Sequence, residues 1–251
     1  MPKIGTIILA AGKGTRMKSD KPKVIFQLAG KPMINRVITI AEKIKSSTIA
    51  IVVGYKKDLV IDVIPENERI IFIEQKEQMG TGHAVMMCKD VFRGFNGVVF
   101  ILCGDVPLLR HQTLKKMLKL HILNDANCTV LTAIMEDPAM YGRIVRNKDG
   151  NVSRIVEFKD ADDTIREIKE INTGIYCFNA VDLFKALSKI DNKNKQQEYY
   201  LTDTLKILND SGKKVISVVL DDILEISGIN SREQLQALEE QFLTREDYFS
   251  Q

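Results

Sequence analysis

Tryptophan is absent from the 251 residues, histidine occurs only three times (His83, His111, His121), and the four cysteines form no C-x-x-C pair. So few imidazoles exclude a metal site built on histidine. Cys88, Cys103, Cys128 and Cys177 are far apart, and the last three lie inside apolar runs. That placement predicts buried free thiols in a reducing compartment rather than disulfides or a zinc site. No apolar run approaches the ~18–20 residues that a membrane span requires. The early run over residues 7–11 follows Lys3 and Ile4 but leads into Gly12-Lys13-Gly14, with no small-residue cleavage pattern. It predicts a buried first strand and a cytoplasmic, non-membrane protein rather than a signal peptide. A Ser-, Gly- or Pro-rich linker is also lacking, so one domain is expected over the whole chain.

Acidic residues are scarce at the start. Residues 1–31 hold seven Lys/Arg (Lys3, Lys13, Arg16, Lys18, Lys21, Lys23, Lys31) against Asp20 alone, whereas residues 221–251 hold eight acids against Arg232 and Arg245. A basic first segment predicts contact with a polyanion. Aromatic interleaving of the kind that stacks single-stranded bases is missing there, with Phe26 standing alone, so a small phosphorylated ligand is expected and nucleic acid is not.

What is present alternates. Residues 4–10, 49–53, 70–73 and 98–103 are near-continuous β-branched runs, the pattern of strands covered on both faces. Between them, Met33, Ile34, Val37, Ile38, Ala41 and Ile44 fall at helical spacing behind Pro32, a residue suited to a first helical turn. Further helices are predicted after Gly82 and over residues 111–123. The second half reads as richer in strands (128–135, 142–146, 152–158, 171–178), with helices near 180–187 and 200–208. A last helix starts at Ser231, which makes a capping box with Gln234. The pattern predicts an α/β fold, Rossmann-like, with a mainly parallel central sheet and helices on both faces. No hexapeptide repeat is visible.

Four groups of residues can carry chemistry. Gly12-Lys13-Gly14-Thr15-Arg16-Met17 with Lys21-Pro22-Lys23 follows the first strand. It matches neither a P-loop nor the dinucleotide fingerprint, which needs a glycine where Met17 stands. Its glycines allow close backbone approach and positive φ, and Lys13, Arg16 and Lys23 supply cations, Arg16 in a bidentate fork. It reads either as a phosphate loop or as a solvated basic turn. Asp105, after strand 98–103, is placed either to hold Mg²⁺ alongside substrate phosphates or to cap the turn at Pro107. The segment 74–83, with Gln75, Gly80 and Thr81, can read a nucleobase edge or be an ordinary helix N-terminus. Gly142, Glu157, Asn172 and Asn230 each add one polar group or glycine beside a strand, and Asn230 also suits a helix cap.

Taken in order, L-A-A-G-K-G-T-R-M with K-P-K, E-Q-M-G-T-G-H-A, G-D-V-P-L-L, Y-G-R-I-V-R, V-E-F-K-D-A, E-I-N-T-G-I-Y, E-Y-Y-L-T-D and G-I-N-S-R-E-Q-L closely resemble the uridyltransferase domain of the bacterial GlmU family. That family belongs to the sugar-nucleotide pyrophosphorylases, and the resemblance runs from about residue 4 to 238. It implies that UTP and N-acetylglucosamine 1-phosphate give UDP-N-acetylglucosamine and pyrophosphate with Mg²⁺ as cofactor. It assigns the backbone of Ala11 and Gly12, with Gln75, Gly80 and Thr81, to uracil, and Gly14 to the nucleotide loop. Arg16 and Lys23 become the catalytic cations, Asp105 and Asn230 the metal ligands, and Gly142, Glu157 and Asn172 the amino-sugar contacts. The lobes expected are nucleotide-binding over about 1–110 and sugar-binding over about 111–230, with the last helix in 231–251. The family's β-helix of hexapeptide repeats is not seen, so neither acetyl transfer nor the trimer it organises is expected. Another sugar 1-phosphate such as glucose 1-phosphate, TTP or CTP in place of UTP, and a catalytically silent nucleotide-binding regulator are the alternatives.

Overall fold

The computed structural model describes residues 2–229 and 231–244. The first strand, β1 (Lys3–Ala10), is buried without a break from Ile4 to Ile8, as a run that is apolar on alternate and intervening positions must be when helices cover both faces of a sheet. Among the described residues nine strands share one sheet. Beside β1 on one side lie β4 (Thr48–Val53) and then β5 (Ile70–Glu74), and on the other lies β6 (Gly97–Cys103), all parallel. Past β6 the direction changes. Strand β10 (Glu170–Asn179) runs antiparallel to both β6 and β7 (Cys128–Ile134), and β11 (Val215–Val219) pairs in parallel with β7 at the edge. The antiparallel pair β8 (Arg143–Arg146) and β9 (Val152–Val156) hangs on β10. A separate small hairpin joins β2 (Gln27–Leu28) to β3 (Lys31–Pro32).

The helices divide between the faces by the side chains they meet. Ile4, Ile8 and Ala10 of β1 share a core with Val37 and Ala41 of α1 (Met33–Lys43), Val60 of α2 (Lys57–Ile61), and Leu114 and Met117 of α4 (His111–Leu123). Ile7 faces the other way, with Ala84 and Val85 of α3 (Thr81–Met86), Leu183 of α6 (Ala180–Leu187) and Leu205 of α7 (Asp203–Asp210). A single turn, α5 (Asp163–Arg166), precedes β10. The last helix, α8 (Arg232–Leu243), starts as its capping box requires, with the Gln234 amide donating to Ser231 Oγ at 3.2 Å. It builds a third cluster in which Leu238 and Phe242 pack with Met17, Leu28, Met33, Leu108 and Ile229.

Two expectations need adjusting. Pro32 lies outside the helical turn, as an extended N-cap (φ −51°, ψ 137°) that also ends β3, so its fixed φ serves the hairpin as well as the helix. The helix expected from residue 200 begins at Asp203, because the chain before it pairs with the segment 79–82. Strand β11, helix α2 and the β2–β3 hairpin carry no expectation above.

Candidate active site

The carboxyl ends of parallel strands are where open α/β sheets bind ligands, and the loops leaving β1, β4, β5 and β6 are laced together there. The Gly104 amide donates to Leu9 O at 3.0 Å, the Tyr55 amide to Ala11 O at 3.2 Å, and the Gln75 amide to Val53 O at 2.8 Å. Gly54 has no room for a side chain, since a Cβ would lie 2.9 Å from Ala11 O.

The basic loop turns back on itself at Gly14. Its φ is +66°, and a Cβ there would sit 2.6 Å from Lys23 Cβ, so the glycine is required twice over. Gly12 does not need the positive φ expected of it; it is exposed, with nothing within 4 Å of a Cβ, which leaves its backbone open to a ligand. A short 3-10 turn (Thr15–Met17) follows, anchored by Met17, which is 1% exposed, while Arg16 stays exposed on it. Behind Pro22, Lys23 opens a second 3-10 turn and forms an ion pair with Asp105, both side chains being largely buried. The first loop and the loop after β6 thus meet through opposite charges. Tyr141 belongs to the same neighbourhood: its phenol is pushed up by burial and by the charges of Asp105 and Cys103, with Arg16 opposing. Burial also pushes the Cys103 thiol up to about 12, which removes it as a nucleophile.

A cleft of about 230 Å³ beside Ala11 and Gly12 is lined by Gln75, Gln78, Gly80, Thr81 and Glu198. Gln75 is 3% exposed, and its Nε2 donates to Gly80 O at 3.1 Å and lies 3.0 Å from His83 Nδ1. With both amide hydrogens directed there, Oε1 remains as the acceptor. His83 thereby helps to fix the Gln75 side chain. Gly80 adopts φ +105°, and a Cβ would come within 2.6 Å of Tyr199 O. The segment before α7 clamps this turn: the Tyr199 amide donates to Met79 O, the Gly82 amide to Tyr199 O (both 2.8 Å), and the Leu201 amide to Thr81 Oγ1 at 3.2 Å.

The third part of the site depends on an irregularity. The register of β10 against β7 shifts between Asn172 and Tyr176, with Gly174 at φ +79°. Bulges of this kind re-aim a side chain beside a site. Asn172 Oδ1 accepts from the Gly174 amide (3.1 Å) and from Tyr176 Oη (2.9 Å), which leaves its Nδ2 as a donor. The Asn172 amide donates to Gly142 O at 2.9 Å, and a Cβ on Gly142 would lie 3.3 Å from Glu157 Oε2. Glu157 Oε1 accepts from Thr202 Oγ1 at 3.0 Å, and burial pushes the carboxyl up, helped by Asp203, Asp160 and Glu198.

The structure brings Gly14, Arg16, Lys23 and Asp105 into one neighbourhood, Ala11, Gly12, Gln75, Gly80 and Thr81 into another, and Gly142, Glu157 and Asn172 into a third. Asn230 lies outside the described residues. Sequence reasoning missed Tyr141, Tyr176, Tyr199 and Thr202; E-Y-Y-L-T-D was visible as a motif but carried no role.

Comparison with known proteins bears on this arrangement. Residues 5–225 match the family described as nucleotidyl transferase. The bifunctional protein GlmU of Clostridioides difficile (strain 630) is 47% identical over 234 residues, covering 93% of this chain and 50% of that protein. The GlmU protein of Caldicellulosiruptor saccharolyticus is 47% identical over 240 residues, covering 95% and 52%. The chain therefore spans about half the length of these curated relatives. A crystal structure of UDP-glucose pyrophosphorylase complexed with UDP-glucose superposes with a TM-score of 0.79 at 20% identity, covering 97% of this chain and 99% of that one, which speaks to the fold. Since the family match takes in the basic loop, the Asp105 loop and the bulged strand alike, the chain belongs to the nucleotidyl transferase family.

Proposed function

We propose that the protein transfers UMP from UTP to N-acetylglucosamine 1-phosphate, forming UDP-N-acetylglucosamine and releasing pyrophosphate. The observation that carries this reading is the Lys23–Asp105 ion pair, which joins the phosphate loop to the carboxylate after β6, with a base-sized cleft on one side and the Glu157–Asn172 pair on the other. The relatives named GlmU support the choice of substrates.

In this reaction an oxygen of the sugar phosphate forms a bond to the α-phosphorus as the bond from that phosphorus to the bridging oxygen breaks, and pyrophosphate leaves. A phosphate monoester has a second pKa near ~6, so the nucleophile is already ionised at neutral pH and no general base is required. The barrier is the approach of two anions, and positioning with charge neutralisation lowers it. Arg16 grips phosphate oxygens in two-pronged fashion, and Lys23 adds a point charge. Gln75 Oε1 accepts from the imide N3–H of uracil, a donor that cytosine lacks. Glu157 Oε2 accepts from the sugar, and Asn172 Nδ2 donates to it.

Magnesium suits these donors. Asp105 supplies one carboxylate beside the phosphate loop, and no group of three or more His, Cys, Asp and Glu side chains able to hold a metal ion by themselves is found among the described residues. A cation that takes one or two protein oxygens and completes its shell with water and substrate phosphates matches such a set. Asp105, with Asn230, would hold the ion, which when bound supplies Lewis-acid polarisation of phosphate oxygens.

The test is pyrophosphate release over a grid of nucleoside triphosphates and sugar 1-phosphates, with and without Mg²⁺. Turnover is expected for UTP with N-acetylglucosamine 1-phosphate and only with the metal. Preference for glucose 1-phosphate, or for TTP or CTP, would replace the substrate assignment, and no turnover with any pair would leave a nucleotide-binding regulator.

A further inference from the structure

Behind the loop that carries Asp105 lies a second basic cavity with no part in the chemistry above. It measures about 50 Å³ and sits between α1, the β2–β3 hairpin, the start of α4 and Phe242. Lys31, Arg36, Lys43 and His111 line it, with Pro107 and Leu108 forming the wall shared with the Asp105 loop.

Positive charge converges there with no carboxylate of the described residues in direct contact, Glu42 acting on Lys31 and Glu239 on Arg36 from further off. Among the described residues, none of Lys31, Arg36 and Lys43 forms an ion pair within 4 Å. The nearest acids are occupied elsewhere: Glu42 Oε1 accepts from Asn67 Nδ2 (2.6 Å) and Arg69 Nη2 (3.0 Å), and Glu239 Oε1 accepts from the Ala29 amide at 2.6 Å. Lys31 Nζ donates to Thr39 Oγ1 at 2.8 Å, and the Arg36 fork donates through Nε and Nη2 to Leu28 O while stacking 4.7 Å from the Phe242 ring. His111 Nδ1 is buried and has no hydrogen-bond partner among the described residues. An orphaned buried nitrogen calls for an explanation, and a missing ion is one. The crowding is felt by the groups themselves: burial and then Arg36, together with Lys43, push the Lys31 ammonium down against Glu42, and burial and then Lys115 and Lys43 push the His111 imidazolium down. His111 is also the first residue of the 13-residue helix α4, whose N-terminal end favours negative charge.

From this convergence we infer that the cavity is a binding site for one free inorganic phosphate, separate from the nucleotide and sugar sites. One water needs roughly 10–15 Å³ on the same measure, so the space admits a small tetrahedral oxyanion and excludes a nucleotide or a sugar phosphate. Lys31, Lys43 and the Arg36 guanidinium neutralise the charge, and His111 Nδ1 gains a partner as a protonated donor.

Titration of the full chain with inorganic phosphate by calorimetry, at constant ionic strength held with chloride, tests the inference. Arg16→Ala, which weakens phosphate at the catalytic loop, is expected to leave one phosphate site intact. Lys43→Ala and His111→Gln should each weaken that site about tenfold, the scale of one charge-assisted hydrogen bond. In the unaltered protein, the side-chain ¹⁵N resonances of His111 should move on adding phosphate but not chloride, a readout that does not depend on any variant folding. Phosphate binding unchanged in both variants, its complete loss in Arg16→Ala, or silent His111 resonances would overturn the site. Ethanolamine phosphate is the ester control; competition by it at the same site would overturn the restriction to free phosphate.

Discussion

On the proposed function, the two sides of the site hold their ligands by opposite means. The side proposed for the nucleotide presents Arg16, exposed on a short turn, and an open backbone at Gly12, carried by a loop whose glycine at Gly14 lets it fold over Lys23. On the sugar side Glu157 and Asn172 are largely buried, and each has all but one of its polar atoms engaged by the protein, through Thr202, Gly174 and Tyr176. Charge on an accessible loop attracts any phosphate and discriminates little. A buried pair that leaves one acceptor and one donor discriminates strongly, because a ligand that fails to match leaves polar groups unpaired. Catalytic power should therefore be concentrated on the first side and selectivity on the second.

The largest effect is expected at the point where the loops meet. Asp105→Ala should abolish magnesium-dependent pyrophosphate release while circular dichroism shows the fold retained; near-normal turnover would remove Asp105 from the chemistry. Next, Arg16→Ala should lower kcat by roughly 10²-fold or more, the scale of losing one preorganised charge-stabilising group. If only KM changed, Arg16 would be a ground-state binder and the contrast between the two sides would weaken.

Glu157→Gln tests the other side through two readouts, weaker sugar binding and greater stability. KM for the sugar phosphate should rise about tenfold, as for losing a hydrogen bond to a charged group, with kcat less affected. Stability should also rise at neutral pH. The folded-state carboxyl of Glu157 is raised above its ordinary value of 4.5, so keeping it ionised costs stability at neutral pH, and that cost is relieved as pH falls through the folded value toward 4.5. The advantage of the glutamine, measured by urea unfolding, should accordingly be greatest near pH 7 and shrink on acidification. An advantage independent of pH would show that the carboxyl is not strained. The smallest effect is expected at Gln75. Gln75→Ala should reduce the preference for UTP over CTP by about fivefold, the value of one lost neutral hydrogen bond, and an unchanged preference would mean that the base is read by other groups.

How far the sequence reveals these features follows from how local each one is. Arg16, Lys23 and Gly14 stood out because charge and glycine lie in a short span after an apolar strand, although that pattern by itself left a solvated basic turn open. Helix α4 and helix α6 were legible to the residue, since their apolar spacing continues without interruption. The bulge at Asn172 was hidden, because I-N-T-G-I-Y-C-F reads as one ordinary strand and the shift arises only in pairing with β7. The clamp on Gly80 was hidden for another reason: it is made by the backbone of Tyr199 and Leu201, more than a hundred residues away, and backbone hydrogen bonds leave no trace in side-chain identity. Two-residue strands such as β2 and β3 are too short to show any period.

The cluster built on helix α8 has a consequence for the order in which the protein becomes competent. Met17, directly after Arg16, and Leu108, three residues after Asp105, rest against Leu238 and Phe242, and the Ile229 amide donates to Asp105 O at 3.2 Å. During synthesis strands β1 and β6 emerge before α8, and the backs of the two loops stay uncovered until residues 229–242 have left the ribosome. Nascent chains should therefore pair β1 with β6 before the two loops are backed, which delays a working site until α8 has emerged.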